Sequence, residues 1–355
     1  MPSKHRGRAD VEGRHPSFED VYAFASLLSG FRKARRAKRG KGGEPAFYLG
    51  LETNLLRLSD EIRTRAYRPD PYRYFRLRTT KERVVSEASF RDRIVHHSLV
   101  AALEPVFEDR FIETSYACRI GKGTHAALAR AQEEAKRCRY FLKLDVTKYF
   151  DGIRHEVLLE LLSREIGNEG ILWLCDILMR QARVPGIAPE ERRGLPIGNL
   201  TSQFWANVYL DSLDHLVVQL PGVHGYLRYM DDQLLFGDDK RALWAAEGFI
   251  KQFAAERLCL TIKARATVLA PVTEGIPWLG FRIFPGHVRL DHQSKQRFVR
   301  KLRWSIARAN STLLADENEV ARAASLCGHV AHANTLSLRR SLLALQPSLF
   351  CGRRQ

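Results

Sequence analysis

Residues 226–236 read YLRYMDDQLLF, two short runs of apolar and aromatic side chains on either side of Asp231 and Asp232. Branched and aromatic residues suit a pleated, half-buried surface and aspartates do not. The pattern therefore predicts two strands around a tight turn at Asp231-Asp232. A stretch upstream has the same character. Residues 141–145 read FLKLD, a buried-strand pattern within a strand predicted over Tyr140–Val146, with Asp145 near its end. Carboxylates are seldom buried without a partner. If the two places are neighbours in one sheet, they gather like charges that only a cation makes tolerable, and hard oxygen ligands in that number suit Mg²⁺ or Mn²⁺. The plainer alternatives are an ordinary Asp-Asp turn and a helix cap at Asp145.

Further out, apolar spacing predicts a helix over Leu51–Arg65, broken by the prolines after Tyr67, and a hairpin over Tyr74–Val85 with Lys81, Glu82 and Arg83 near its turn. A helix over Arg91–Phe107 is expected to end near Pro105, and Thr124 to cap a helix over Ala126–Arg137. Helices are also predicted over His155–Ile166, from a cap at Thr201 or Ser202 to about Val218, and over Arg241–Leu258. Ile276–Leu290 reads as a second hairpin, and the chain from Gln293 onward as helical and basic.

Composition narrows the partners. The 355 residues carry 57 Lys and Arg against 40 Asp and Glu, a net charge of +17. Such a surplus points to a polyanion, nucleic acid before anionic membrane. Residues 1–44 hold 11 basic and 5 acidic side chains and residues 291–355 hold 11 and 4, so the middle of the chain is nearly balanced. Phe31–Gly43 (FRKARRAKRGKGG) is either a phosphate-binding arm or a solvated basic tail. At 45% hydrophobic and 27% charged the chain is not disordered overall, and its length suggests two or three subdomains. No apolar run is long enough for a membrane span, and no signal peptide is read near Val21–Leu28. The six cysteines form no CxxC pair, which fits a reducing cytoplasm and mostly buried thiols. Cys327, His329 and His332 are read as helix packing because a fourth zinc ligand is not evident.

These motifs together resemble a known family. Tyr229-Met-Asp-Asp, preceded by Arg228, resembles the catalytic hairpin of reverse transcriptases. Residues 141–151 (FLKLDVTKYFD) resemble the strand that carries their first metal aspartate, and residues 194–203 (GLPIGNLTSQ) the loop and helix start that support the nascent base pair. The three occur in the family's order. Arg83, residues 91–97 (RDRIVHH) and residues 278–281 (WLGF) extend the similarity over about residues 50–290. Within the family, residues 197–203 (IGNLTSQ) and 115–125 (SYACRIGKGTH) are most similar to reverse transcriptases of diversity-generating retroelements.

The resemblance implies an α+β right-hand polymerase: a basic N-terminal arm (1–44), fingers with the start of the palm (45–139), an antiparallel-sheet palm (140–275), a primer-grip-like hairpin (276–290) and a basic helical thumb (291–355). It implies template-directed DNA synthesis on RNA, with two Mg²⁺ ions (or Mn²⁺) held by Asp145, the Val146 carbonyl and Asp231. Asp232 lies beside them in a lesser role. Phe150 falls at the steric gate against a ribose 2′-hydroxyl. Lys81, Arg83, Ile197 and Gln203 fall at nucleotide-binding positions; Arg91, Lys122, His125, Trp278, Gly280, Arg297 and Lys301 at template or primer positions. For Phe150, Lys81, Arg83, Lys122 and His125, core packing, surface charge or a capped helix start are the bland alternatives. Of the basic side chains Lys295, Arg297, Arg300, Lys301 and Arg303, some are expected to face out while the apolar positions they flank, Phe298 and Trp304, pack inward. Implied partners are an RNA template, a DNA or RNA primer, dNTPs and a small basic oligomeric accessory protein, with no membrane. A retron, group II intron or phage-defence enzyme, or a nucleic-acid-binding protein with a decayed site, are the rival functions. Two departures stand out. Residues 77–81 (LRTTK) lack the proline that often precedes the fingers lysine. Ile197 stands where many relatives have Gln, which removes a hydrogen bond available for discrimination and implies reduced fidelity.

Overall fold

The computed structural model of the protein describes residues 15–36, 39–78, 82–181, 184–311 and 317–344. Lys81, residues 1–14 and Lys38 of the basic arm, and the C-terminal residues 345–355 lie outside them, as does the side chain of Arg83. The chain divides into two units. The first holds residues 1–118, 146–217 and 248–263, the second residues 119–145, 218–247 and 264–355.

The first unit is mainly helical. Helix Leu51–Arg63 buries Leu55, Leu58 and Ile62, the stripe its spacing predicts. Helix Phe90–Glu108 starts at Ser89, whose side chain accepts from the Asp92 N–H. It runs through Pro105 rather than ending there. The last turn is held by packing: Phe107 is buried, with its ring 5.5 Å from Phe204 and 6.2 Å from Phe111. Helix Leu200–Val217 begins one residue before Thr201, so neither Thr201 nor Ser202 is a cap; both are buried inside it. Strands β1 (Arg73–Arg78) and β2 (Glu82–Glu87) form the expected antiparallel hairpin.

The second unit is built on a four-stranded antiparallel sheet of β3 (Tyr140–Leu144), β4 (Gly225–Tyr229), β5 (Asp232–Gly237) and β6 (Val268–Pro271), in the order β4-β5-β3-β6. Phe141, Leu142, Leu144, Leu234, Leu235 and Phe236 are fully or almost fully buried, so the two apolar runs of the sequence are the centre of this sheet. Helix Thr124–Arg137 packs against β4 and buries Ala127, Leu128, Ala131 and Ala135. Thr124 is its first residue rather than its cap, and the Thr124 hydroxyl donates to the Tyr229 hydroxyl at 3.2 Å.

The segment after β6 is a three-stranded antiparallel sheet, not a single hairpin: β7 (Ile276–Trp278), β8 (Phe281–Ile283) and β9 (Val288–Leu290). Leu279 and Gly280, with φ of 51° and 83°, form the two-residue turn between β7 and β8. Positive φ at both central residues is the twist-compatible hairpin turn. Helices His292–Ser311, Glu317–Val330 and Leu336–Ala344 follow, with Phe298, Leu302, Ile306, Ala323, Val330 and Leu342 as their core. Trp304 departs from expectation. It is half exposed, with the Arg308 and Arg322 guanidinium groups 5.2 and 5.5 Å from its ring. Among the described residues, no helix is long and apolar enough to cross a membrane. Cys138 and Cys175 are buried as expected, whereas Cys118 and Cys259 are exposed.

Candidate active site

The acidic turn is placed by register. Tyr229 pairs with Asp232, so the two residues outside the ladder are Met230 and Asp231, one position earlier than Asp231-Asp232. Met230 has φ of 56°, an uncommon conformation for a side chain of its size. Arg228, fully buried, braces the turn by donating from Nη1 to the Met230 carbonyl at 3.1 Å. In the same sheet β3 lies beside β5, with Leu144 opposite Gln233. That pairing brings Asp145, the residue after β3, to the end of the sheet where Asp231 sits.

Asp145 and Asp231 meet through a side-chain hydrogen bond. The Asp231 carboxyl is pushed up to about 6, first by burial, then by the charges of Asp232 and Asp145 and that hydrogen bond, against a backbone hydrogen bond that lowers it. Two carboxyl groups in contact need either a shared proton or a cation between them. The donors are all oxygen, which fits Mg²⁺ or Mn²⁺ better than a soft metal. Val146, in the first unit, follows Asp145 and pairs with Ile262 in an isolated bridge.

Asp232 has different company. Its Oδ1 lies 3.6 Å from Lys143 Nζ, which also donates to the Pro277 carbonyl at 3.1 Å. Asp231 lies in the turn and Asp232 opens β5, so neighbouring identical aspartates have distinct surroundings. Lys143 was not singled out from the sequence, although a lysine inside FLKLD was a signal for it. Arg228 and Gln233, a directly opposed pair in an otherwise apolar hairpin, were another.

The remaining residues implied by the resemblance fall as follows. In the first unit, Phe150 is half-buried in the turn of helix Tyr149–Gly152, 5.6 Å from the Tyr149 ring, and its carbonyl accepts from the Leu195 N–H at 2.8 Å. Tyr149 is buried and donates to the Ala206 carbonyl, a core role. Ile197 and Gln203 are half-buried. The Ile197 carbonyl accepts from the Ser86 N–H at 2.9 Å, and Asn199 Nδ2 donates to the Ser86 carbonyl at 3.3 Å, so the loop is docked on β2. The Arg91 guanidinium is engaged by Glu61 and lies 4.7 Å from the centre of the Tyr67 ring.

In the second unit, Lys122 and His125 flank the start of helix Thr124–Arg137. His125 stacks on His332 at 3.5 Å between centroids, with His329 at 5.6 Å. Burial, and then the two neighbouring imidazoles, lower its pKa. His332 lies past the end of helix Glu317–Val330, so it does not share a helical face with His329; it reaches His125 instead. Trp278 is buried and Gly280 sits in the β7–β8 turn, where a Cβ would meet Ser294 Oγ at 2.8 Å. Arg297 and Lys301 are exposed on helix His292–Ser311, as are Lys295, Arg300 and Arg303.

The sequence is similar to those of several known proteins. The chain is 25% identical over 204 residues to protein YkfC of Escherichia coli (strain K12), covering 55% of this chain and 50% of that one. It is 25% identical over 173 residues to the group II intron-encoded protein LtrA of Lactococcus lactis subsp. cremoris, covering 48% and 29%. It is 27% identical over 187 residues to a putative COX1/OXI3 intron 2 protein of Saccharomyces cerevisiae, covering 51% and 22%. The chain thus spans half or less of the length of these relatives. A family model described as "Reverse transcriptase (RNA-dependent DNA polymerase)" matches residues 70–283, a span that holds Asp145, Asp231 and the sheet that carries them. By that match the chain belongs to the reverse transcriptase family.

Proposed function

We propose that the protein is an RNA-directed DNA polymerase that makes cDNA by two-metal nucleotidyl transfer. The observation that carries this reading is the contact between Asp145 and Asp231 at one end of an antiparallel sheet, within a chain of the reverse transcriptase family. Bound Mg²⁺ at such carboxylates supplies Lewis acidity for a primer 3′-hydroxyl and charge neutralisation for a leaving pyrophosphate. Asp145 and Asp231 would hold it, with the Val146 carbonyl as a further oxygen ligand. Asp232, paired with Lys143, adds negative charge nearby and takes a lesser part.

Within the first unit, the Phe150 ring is assigned to exclude a ribose 2′-hydroxyl, and Ile197 and Gln203 to frame the nascent base pair. Lys81 and Arg83 are assigned to the triphosphate. Within the second, Lys122, His125, Trp278, Gly280, Arg297 and Lys301 are assigned to template and primer. Residues 291–355 are read as the thumb, 140–275 as the palm and 45–139 as the fingers. The exposed cations of helix His292–Ser311, above a buried apolar seam, support a surface that tracks a phosphate backbone.

The IGNLTSQ loop favours an error-prone enzyme of a diversity-generating retroelement, served by a small basic accessory protein. The intron proteins among the relatives favour a second reading, a group II intron-type enzyme. A template repeat and a near-copy differing at adenines in the flanking DNA would select the first; intron RNA structure would select the second. For the activity itself, purified protein with Mg²⁺, a primed RNA template and dNTPs should extend the primer, and Asp231→Asn should abolish extension. Extension persisting in that variant would overturn the assigned site.

A further inference from the structure

The sheet that carries Asp145 and Asp231 at one end carries a second set of metal-ligating side chains at the other. Cys138 precedes β3, His224 precedes β4 and Asp238 follows β5, all within the second unit. One ligand atom from each lies within 4.8 Å of the other two. His224 Nδ1 stands 3.3 Å from Asp238 Oδ2. Zinc bonds to nitrogen and carboxylate oxygen of about 2.0–2.2 Å, opened at a tetrahedral angle, place those ligands roughly 3.4 Å apart.

The three positions are fixed by the fold. Tyr140 pairs with Gly237, which aligns the chain before β3 with the chain after β5. The Cys138 N–H closes the preceding helix on the Glu134 carbonyl at 3.0 Å, and the His224 N–H donates to the Phe236 carbonyl at 2.8 Å. The Arg139 N–H donates to Asp238 Oδ1 at 2.8 Å, which orients the carboxylate and leaves Oδ2 turned to His224. An outer hydrogen bond of this kind is what positions a ligating carboxylate. Cys138 is buried, while His224 and Asp238 are exposed and give an ion access.

We propose that Cys138, His224 and Asp238 bind a zinc ion, with water completing the tetrahedron. The chemistry separates this site from the catalytic one. A thiolate and an imidazole select a borderline-soft metal, whereas Asp145 and Asp231 offer only oxygen. Seven residues of extended chain at about 3.3 Å each put Cys138 about 23 Å from Asp145, so the two sites do not share ligands. Binding exchanges the Cys138 thiol proton for the metal and joins the ends of β3, β4 and β5.

The test uses the full chain in excess Mg²⁺, titrated with Zn²⁺ against a chromophoric chelator, and with Co²⁺ as a spectroscopic substitute. Wild type should hold one Zn²⁺ that His224→Gln and Asp238→Asn weaken by more than about tenfold. Its Co²⁺ form should show tetrahedral bands and a thiolate-to-metal band that Cys138→Ser removes. His224 and Asp238 are exposed, so their variants test the site even if Cys138→Ser fails to fold. Wild-type Zn²⁺ affinity in both exposed-residue variants, or a Co²⁺ spectrum without the thiolate band, would overturn the proposal and leave His224 and Asp238 as a surface side-chain contact. Neither readout depends on DNA synthesis.

Discussion

Replacing Gly198 by alanine should loosen the loop that presents Ile197. Gly198 has φ of 113°, and a Cβ there would stand 2.7 Å from Val85 Cγ1 and 3.2 Å from the Ser86 carbonyl oxygen. A side chain held at such a φ costs about 1–3 kcal/mol. Forcing it against Val85 costs about 1–3 kcal/mol more. If the loop lifts off instead, it forfeits the Ser86–Ile197 and Asn199–Ser86 hydrogen bonds, each worth about 1 kcal/mol, and leaves buried Asn199 unpaired. By either route Gly198→Ala should destabilise by about 2–6 kcal/mol, which lowers Tm by roughly 4–24 °C for a body of this size. Calorimetry reads that term, and single-nucleotide incorporation reads the functional one, expected as a raised KM for dNTP. Val85→Ala removes the closest clash, so the double variant should be about 1 kcal/mol better than additivity predicts. A Tm within about 1 °C of wild type, or strict additivity, would refute the docking of this loop on β2.

Ile197→Gln restores a side chain that can hydrogen-bond the incoming nucleotide, and should lower misincorporation, most of all opposite template adenine; equal error rates in primer extension would remove Ile197 from the fidelity argument. Lys301→Gln should weaken template-primer binding about equally across sequences and reduce the slope of log K against log salt by about one; an unchanged slope would mean that this exposed cation meets no phosphate. His96 is buried with neither ring nitrogen partnered, and its pKa is lowered to about 3 by burial and then by His97 and Arg93. The unfolded chain therefore binds a proton that the fold refuses between about pH 3 and 6.5, so stability is full above about 6.5 and falls as pH drops, by about 2 kcal/mol at pH 5. His96→Leu should flatten the fall of Tm between pH 7 and 5, and an identical profile would show that His96 does not titrate on unfolding.

The four-stranded sheet is legible in the sequence because its signal is local. FLKL and YLRYM–QLLF are apolar runs that end in acids, and they became β3, β4 and β5. The turn was misplaced by one residue because its position depends on Met230 taking φ of 56°, which methionine does not advertise. Local backbone chemistry argues for a helix end at Pro105; the burial of Phe107 prevails over it. Trp304 is apolar enough to suggest core, but the seam of its helix runs through Phe298, Leu302 and Ile306 and leaves the indole beside two arginines. Cys138, His224 and Asp238 were invisible as a group, since strand register rather than sequence proximity assembles them.

Register also resolves the electrostatics of a basic chain that must gather acids. Lys143 is opposite Leu234 and pairs with Asp232, so the carboxylate that opens β5 is compensated from within the sheet. Asp231 lacks that compensation, and its environment of burial, Asp232 and Asp145 favours a proton or a cation. A lysine placed beside Asp231 instead would supply the positive charge there and weaken the attraction of these carboxylates for a cation. The same sheet thus sets its strand lysine beside Asp232, the aspartate assigned the lesser part, rather than beside Asp231. The basic surplus lies elsewhere, as on the exposed side of helix His292–Ser311, where it can meet phosphate without quenching the carboxylates.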